Sequence, residues 1–417
     1  MSSRSVPPNV YVWVWLPGAT EPVVAGVLLV DGETTTFQYG ESFLGRDAAV
    51  PLYLPELPLR PGPIRPVGGL NIAGCIADAG PDAWGQRVIL RRLASTGGAD
   101  LSRAEPDILT VLLESGSERI GALDFQSSPR DYVARSTSAN LEELMQAAER
   151  LEAGVPFSPA LDAALMRGSS IGGARPKALL DDGGRQLIAK FSSHTDPYPV
   201  VKAEAVAMEL ARRVGLDVAG TEVVECLGRD VLLVERFDRT ERLGERRMIV
   251  SALTILELDE LMARYATYPA LADVIRARFT QPRSTLRELF QRIVFNILVG
   301  NTDDHARNHA AFWDGTSLSL TPAYDICPQA RSGGEAVQAM AIARDGFRFS
   351  QVAGCVNAAS TYLLSNGEAR EIIDHQLHVI NTQWTDAADA ARLSHVQRSG
   401  LWRRQILNPF STEGYHS

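Results

Sequence analysis

The sequence predicts an α+β chain in two lobes, with a β-rich N-terminal subdomain in front and an all-helical C-terminal lobe behind. Three observations lead there. Residues 1–105 read as strands punctuated by Pro and Gly, including Val10 to Leu16, Glu21 to Val30 and the Pro-rich Pro51 to Pro66, and they end in a helix around Ala83 to Leu93. Residues 106–250 mix a hairpin with a helix. Residues 251–417 form a lobe that carries a polar loop behind a strongly periodic helix.

The middle part is legible in some detail. Arg185 to Phe191 alternates as a strand should and follows the turn Asp181-Asp182-Gly183-Gly184, so residues 177–191 form a hairpin. A helix follows, with Ala203, Val206, Ala207, Leu210 and Val214 on its apolar face and Gly215 as its stop. In the last part, Leu286, Leu289, Phe290, Ile293, Ile297 and Leu298 make a helical stripe, opened by a Thr285/Glu288 capping box and closed by Gly300. That helix delivers the loop Asn301-Thr302-Asp303-Asp304-His305-Ala306-Arg307-Asn308.

The loop has the order of acid and amide that phosphotransfer needs. Asp303 and Asn308 are separated by four residues, the spacing that sets a carboxylate beside an acceptor hydroxyl and an amide oxygen on magnesium. Asp325, seventeen residues further on, supplies a second metal ligand. Magnesium on ATP takes hard oxygen ligands and keeps waters, so one amide and one carboxylate suffice. The plainer reading, a polar loop whose Asp and Asn residues cap a helix, leaves the delivering helix and the distant Asp325 unexplained. His305 and His309 are four apart, but Ala306 stands where a zincin would carry its Glu, and no third zinc ligand is evident.

Lysine usage adds a second line. Among 41 Lys and Arg residues only Lys177, Lys190 and Lys202 are lysines, all within residues 177–202. A compact ammonium is not interchangeable with a guanidinium in a phosphate site, which makes Lys190, at the end of its strand, the expected phosphate contact. Lys202 reads as an ordinary exposed lysine. A strand lysine paired with a helix glutamate positions ATP phosphates in protein kinases, and Glu204 is the glutamate in place here; as a plain alternative it is a solvated first-turn acid. Gly168 to Lys177 is a small-residue loop whose amides could reach phosphates, though it is neither GxGxxG nor Walker A.

Taken in order, SSIGGARPK at 169–177, LIAKF ending at Phe191, LLVERFDR at 232–239, GNTDDHARN at 300–308 and LTPAYD at 320–325 resemble the HipA-type serine/threonine kinase toxins of bacterial type II toxin–antitoxin systems. Arg119-Ile120-Gly121-Ala122-Leu123 and the Pro81 to Arg87 stretch match the same family. The resemblance implies a two-lobed protein-kinase-like fold, with residues 1–105 the N-terminal subdomain, 106–250 the nucleotide-binding lobe and 251–417 the lobe of the catalytic loop. It implies Asp303 as base and Asn308 and Asp325 as magnesium ligands. ATP contacts would come from Gly172, Gly173, Ala174, Arg175, Pro176, Lys177, Lys190, Glu204, His305, Ala306, Arg307, Asn308, Tyr324 and Asp325, with Glu235, Arg236 and Phe237 as the adenine hinge. Ser170 falls on the family's autophosphorylated serine, whose modification expels the phosphate loop.

The likeness further implies a HipB-like helix-turn-helix antitoxin that brings the chain to operator DNA, and an aminoacyl-tRNA synthetase substrate such as glutamyl-tRNA synthetase. Arg175 stands where the family often has Gln, and Ile326-Cys327 follows Asp325, so this is no DFG segment. A corepressor that phosphorylates little, and a small-molecule phosphotransferase, are the competing readings. Composition agrees: 45% hydrophobic residues can bury a sizeable core, and a net charge of −9 disfavours strong unaided DNA binding. Cys75, Cys226, Cys327 and Cys355 include no CxxC pair and read as buried thiols of a cytoplasmic protein. No apolar run reaches membrane-spanning length.

Overall fold

A computed structural model describes residues 9–81, 85–90, 93, 107–135, 140–152, 177–193, 196–331 and 333–416. Strands β1 (Val10–Val14), β2 (Val23–Asp31), β3 (Thr34–Tyr39) and β4 (Leu123–Gln126) form an antiparallel sheet in the order β3-β2-β1-β4. Alternation drives it: Val10, Val12 and Val14 are fully buried on one face of β1. The Tyr39 hydroxyl donates to the Leu57 carbonyl at 2.7 Å and accepts the Leu52 N–H at 3.0 Å, which draws the Pro-rich segment over the sheet. The fourth strand comes from residues 123–126, beyond the expected boundary at 105.

The second sheet, in the order β5-β6-β8-β7, contains β5 (Lys177–Asp182), β6 (Arg185–Phe191), β7 (Thr221–Cys226) and β8 (Arg229–Glu235). The β5–β6 hairpin turns at Gly183 and Gly184, both at positive φ, where a side chain would be strained. Helix α1 (Leu141–Glu152) lies against one face, and Leu187, Ala189 and Phe191 of β6 pack beneath it with Leu144 and Met145. Residues of the other parity, Ile188 and Lys190, therefore face helix α2 (Val200–Arg213) on the opposite side. Gly215, at φ +89°, ends α2 as expected.

The last part is built on helices α3 (Tyr268–Arg278), α4 (Pro282–Val299) and α5 (Asn366–Ala390). It is not all helical: β9 (Ile249–Ser251), β10 (Ala310–Trp313) and β11 (Leu318–Leu320) form a small sheet in the order β11-β10-β9. Helix α4 buries the whole predicted stripe but starts three residues earlier than expected. Pro282, preset for the first helical turn, initiates it, so Thr285 is already interior and Glu288 pairs with Arg292 at 2.9 Å instead of capping. Helix α5 opens on a Ser365/Glu368 capping box and packs against α2. One apolar core runs continuously from Val10 to Leu407 through all three parts. Among the described residues no helix is long and apolar enough to cross a membrane.

Candidate active site

Strand parity aims Lys190 at α2, where Glu204 sits on the buried face. The Lys190 Nζ donates to Glu204 Oε1 and to Asp325 Oδ1, each at 2.6 Å. The three groups expected from the sequence thus meet, and the solvated reading of Glu204 is excluded. Burial works to depress the lysine, but Asp325 and Glu204 outweigh it and hold its pKa above the ordinary value. One ammonium cannot neutralise two carboxylates equally. Lys190 pulls Asp325, which opens onto the cleft with 41% of its side chain exposed, down to about 2, whereas burial raises the deeper Glu204 despite the lysine. Lys177, buried and directly opposite Lys190 in the β5–β6 pairing, adds positive potential to both acids. Lys202 is not the exposed lysine expected; it is mostly covered and pairs with Asp230 at 3.0 Å.

Gly300, at φ +73°, turns the chain out of α4 into the loop. Asp304 points inward and is the hub: it accepts from Tyr268 Oη of α3, from Asn296 Nδ2 of α4 at 2.8 Å and from His309 Nε2 at 2.9 Å. Burial would raise its pKa, yet His309 and Tyr268 hold it below the usual carboxylate range. With Asp304 anchored inward, its neighbour Asp303 is exposed toward solvent. Partial desolvation raises the Asp303 carboxyl, with the Asp325 and Asp304 charges adding to the rise and His305 opposing it. His305 therefore lies within electrostatic reach of Asp303 and Asp325.

Ala306 to Asn308 make a single tight turn. Asn308 Nδ2 donates to the Asp303 carbonyl at 3.3 Å, which leaves its amide oxygen as the free end. Arg307 points to Glu260 at 2.6 Å and Asp78 at 3.6 Å, while its carbonyl accepts the Tyr324 hydroxyl at 2.6 Å. The segment carrying Tyr324 and Asp325 is fixed by backbone bonds of Ala323 to Asp217 and Ala219 and by Arg292 Nη2 on the Thr321 carbonyl at 2.9 Å. Asp325 itself sits at φ +59°, a conformation that an Asp tolerates better than most residues.

At the exit of β8, Glu235 is exposed, and the Phe237 ring lies 5.5 Å from Tyr324 and 6.0 Å from Phe312. The Arg236 side chain is a correction. It turns away from the cleft into the interior, donating to Asp238 and to the Arg119 carbonyl, so the side chain makes no contact with a ligand in the cleft. The loop with Ser170, Gly172, Gly173, Ala174, Arg175 and Pro176 lies outside the described residues. The Asp304 hub and the Asp238 cluster went unread in the sequence. Adjacent acids at 303 and 304 were a signal for the first; the second joins segments more than a hundred residues apart and left none.

The donor set suits a hard cation. The free Asn308 oxygen and the Asp325 carboxylate would hold it, phosphate and water completing the shell. His309 Nε2 is on Asp304, and among the described residues no three His, Cys, Asp or Glu side chains gather into a metal site.

Residues 14–126 match the model of the HipA N-terminal domain and residues 169–384 that of the HipA-like C-terminal domain. The serine/threonine-protein kinase toxin HipA of Shewanella oneidensis is 26% identical over 186 residues, 38% of this chain and 42% of that protein. Toxin YjjJ of Escherichia coli is 27% identical over 176 residues, 39% of this chain and 38% of that protein. The chain thus spans about two fifths of the length of these curated relatives. The fold is matched more fully, by a chain of the solved complex of the Shewanella oneidensis MR-1 toxin–antitoxin system HipA, HipB and its operator DNA: TM-score 0.66, 19% identity, 93% of this chain and 95% of that one. With more than half of its length matched by the C-terminal model, and the N-terminal model matched ahead of it in the expected order, the chain belongs to the HipA family.

Proposed function

We propose that this chain is an ATP-dependent protein serine/threonine kinase acting as the toxin of a toxin–antitoxin pair in the cytoplasm. The observation that carries it is the junction of Lys190, Glu204 and Asp325 at 2.6 Å contacts, with the exposed Asp303 of the neighbouring loop held within electrostatic reach of Asp325. In this reading Lys190 moves its ammonium onto ATP phosphate oxygens while Glu204 keeps it oriented. Phe237 and Tyr324 offer ring faces to the purine beside the Glu235 to Phe237 backbone. Asp303, its carboxyl raised by desolvation, takes the proton of the acceptor hydroxyl as that oxygen bonds to the γ-phosphorus and the bond to the β–γ bridging oxygen breaks, releasing ADP. Magnesium held by Asn308 and Asp325 would supply charge neutralisation of the β- and γ-phosphates.

The solved relative's complex with HipB and operator DNA supports a HipB-like helix-turn-helix antitoxin as partner, and the net charge of −9 agrees with DNA contact made through that partner. We assign an aminoacyl-tRNA synthetase, such as glutamyl-tRNA synthetase, as acceptor and Ser170 as an autophosphorylated off-switch: a phosphoserine in the phosphate loop would repel ATP's own phosphates. The test is a phosphoproteome after induced expression beside an Asp303→Asn control. New phosphoserine on a synthetase and on Ser170 only with the unaltered chain is the expected result. Equal growth arrest by both chains, without new phosphorylation, would favour the corepressor reading.

A further inference from the structure

The turn at residues 118–121, which leads into β4, and residues 236–246, which follow β8, are joined by a buried ionic cluster. Asp238 is its centre. It accepts the Gly121 N–H at 2.8 Å, Arg236 Nε and Nη2 at 2.9 and 2.7 Å, and Arg239 Nη1 at 2.8 Å. Arg236 Nη2 and Arg239 Nη2 also donate to the Arg119 carbonyl at 2.6 and 2.9 Å. Glu118 closes the cluster with Arg239 at 3.3 Å and Arg246 at 3.2 Å, and Arg246 stacks 3.7 Å from the ring of Trp15, which follows β1. Gly121, at φ +78°, is what lets this turn present its N–H to Asp238.

The cluster has a geometric consequence for the cleft. The end of β8 is held by the Glu235 N–H on the Gly220 carbonyl and the Arg236 N–H on the Gln186 carbonyl, and the chain then turns at Phe237 and Asp238. Arg236 and Asp238 are buried against the turn at residues 118–121, whereas Glu235 is exposed and Phe237 meets Tyr324 next to Asp325, so the cluster ties down both ends of the step that carries Phe237. A buried ion cluster adds little stability over apolar packing of the same volume, but its directed hydrogen bonds permit one register only. We infer that Asp238 is a positioning residue for nucleotide binding, fixing the β8 exit against the N-terminal unit so that the 235–237 backbone and the Phe237 ring meet the purine. The inference rests on the kinase reading above.

The test compares Asp238→Asn, Glu118→Gln and, as a control for purely structural loss, Glu56→Gln, a buried carboxylate of the N-terminal unit that holds the Gly74 and Cys75 N–H groups. Binding of magnesium-ATP and of ADP is measured by calorimetric titration on the full chain, with kcat and KM for phosphorylation alongside. Asp238→Asn is expected to weaken both nucleotides roughly 10-fold and raise KM for ATP equally with kcat kept, and the rim variant Glu118→Gln about 3-fold. Glu56→Gln should lower the melting temperature and leave nucleotide affinity alone. If Asp238→Asn does not fold, Glu118→Gln decides. Wild-type affinity in the folded clamp variants, or an equal loss in Glu56→Gln, overturns the inference; an unaltered chain that binds no nucleotide takes the kinase reading down with it.

Discussion

Replacing Lys190 by Met tests the core of the site, because length is kept while the charge that joins two carboxylates goes. Each contact is a charge-assisted hydrogen bond at 2.6 Å, and deleting one partner of a buried pair costs roughly 3–5 kcal/mol. The Asp325 contact opens onto the cleft and is discounted for screening, so the Glu204 side sets the expectation of about 3 kcal/mol at pH 7. The pH dependence carries more information. In the unaltered chain Lys190 depresses Asp325 to about 2, a stabilisation present above its unfolded pKa and lost as pH falls through 2. Without the lysine both acids shift upward, and a raised carboxyl contributes stability that is full below its unfolded pKa and lost as pH rises. The deficit of Lys190→Met should therefore shrink between pH 7 and pH 5. Urea unfolding at the two pH values, with magnesium-ATP titration alongside, measures it. Lys190→Arg keeps the charge but not the compact ammonium and should fold better than Lys190→Met while still binding ATP poorly. A deficit under about 1 kcal/mol, or one independent of pH, would refute the account, since the ammonium would then not be neutralising the two acids it joins.

Asp303→Asn should retain ATP binding and lose transfer, whereas Asp325→Asn should lose both; calorimetry beside a radiolabel transfer assay separates them, and full transfer by Asp303→Asn would remove it as base. Burial pushes the Glu56 carboxyl up from 4.5 to about 6 against the opposing effect of its two N–H donors, so its contribution is full below 4.5 and falls by roughly 2 kcal/mol as pH rises through 6. Chemical unfolding from pH 4.5 to 7 should show that fall in the unaltered chain and lack it in Glu56→Gln. Gly300→Ala places a Cβ 2.5 Å from the Gln405 carbonyl at φ +73°, and should cost at least ~1 kcal/mol in melting experiments and lower kcat through the displaced loop.

What the sequence disclosed was local. The Gly183-Gly184 turn, the alternating strand that ends near Lys190 and the Gly215 and Gly300 stops all follow from residues a few positions apart, whereas the choice between a paired and a solvated Glu204 needed the fold. Misreadings arose where two local signals competed or where pairing was distant. Thr285 and Glu288 have the right spacing for a capping box, but Pro282 begins the helix first. Strand β4 pairs with β1 across more than a hundred residues, and β9 and β11 are three residues each, too short for any periodicity. Arg236 sits in the expected hinge motif, and only the fold reveals that its side chain belongs to Asp238.

The N-terminal unit reaches the cleft at a second place, there through a carboxylate of its own. Asp78 accepts the Ser251 N–H and hydroxyl, each at 2.7 Å, and lies 3.6 Å from Arg307 of the catalytic loop. Ser251 pairs with Ala310 across the small sheet, and the Ala252 N–H donates to the His309 carbonyl at 2.8 Å, so Asp78 is linked to the exit of that loop. His309 in turn donates to Asp304. One unit thus braces the β8 exit through Asp238 and the Asp303–Asn308 loop through Asp78. Apolar contact alone would let such surfaces slide, since it has no preferred direction; two carboxylates holding named N–H groups do not. The nucleotide face and the acceptor face are therefore both hydrogen-bonded to the same N-terminal unit, one at the turn before β4 and the other at Asp78.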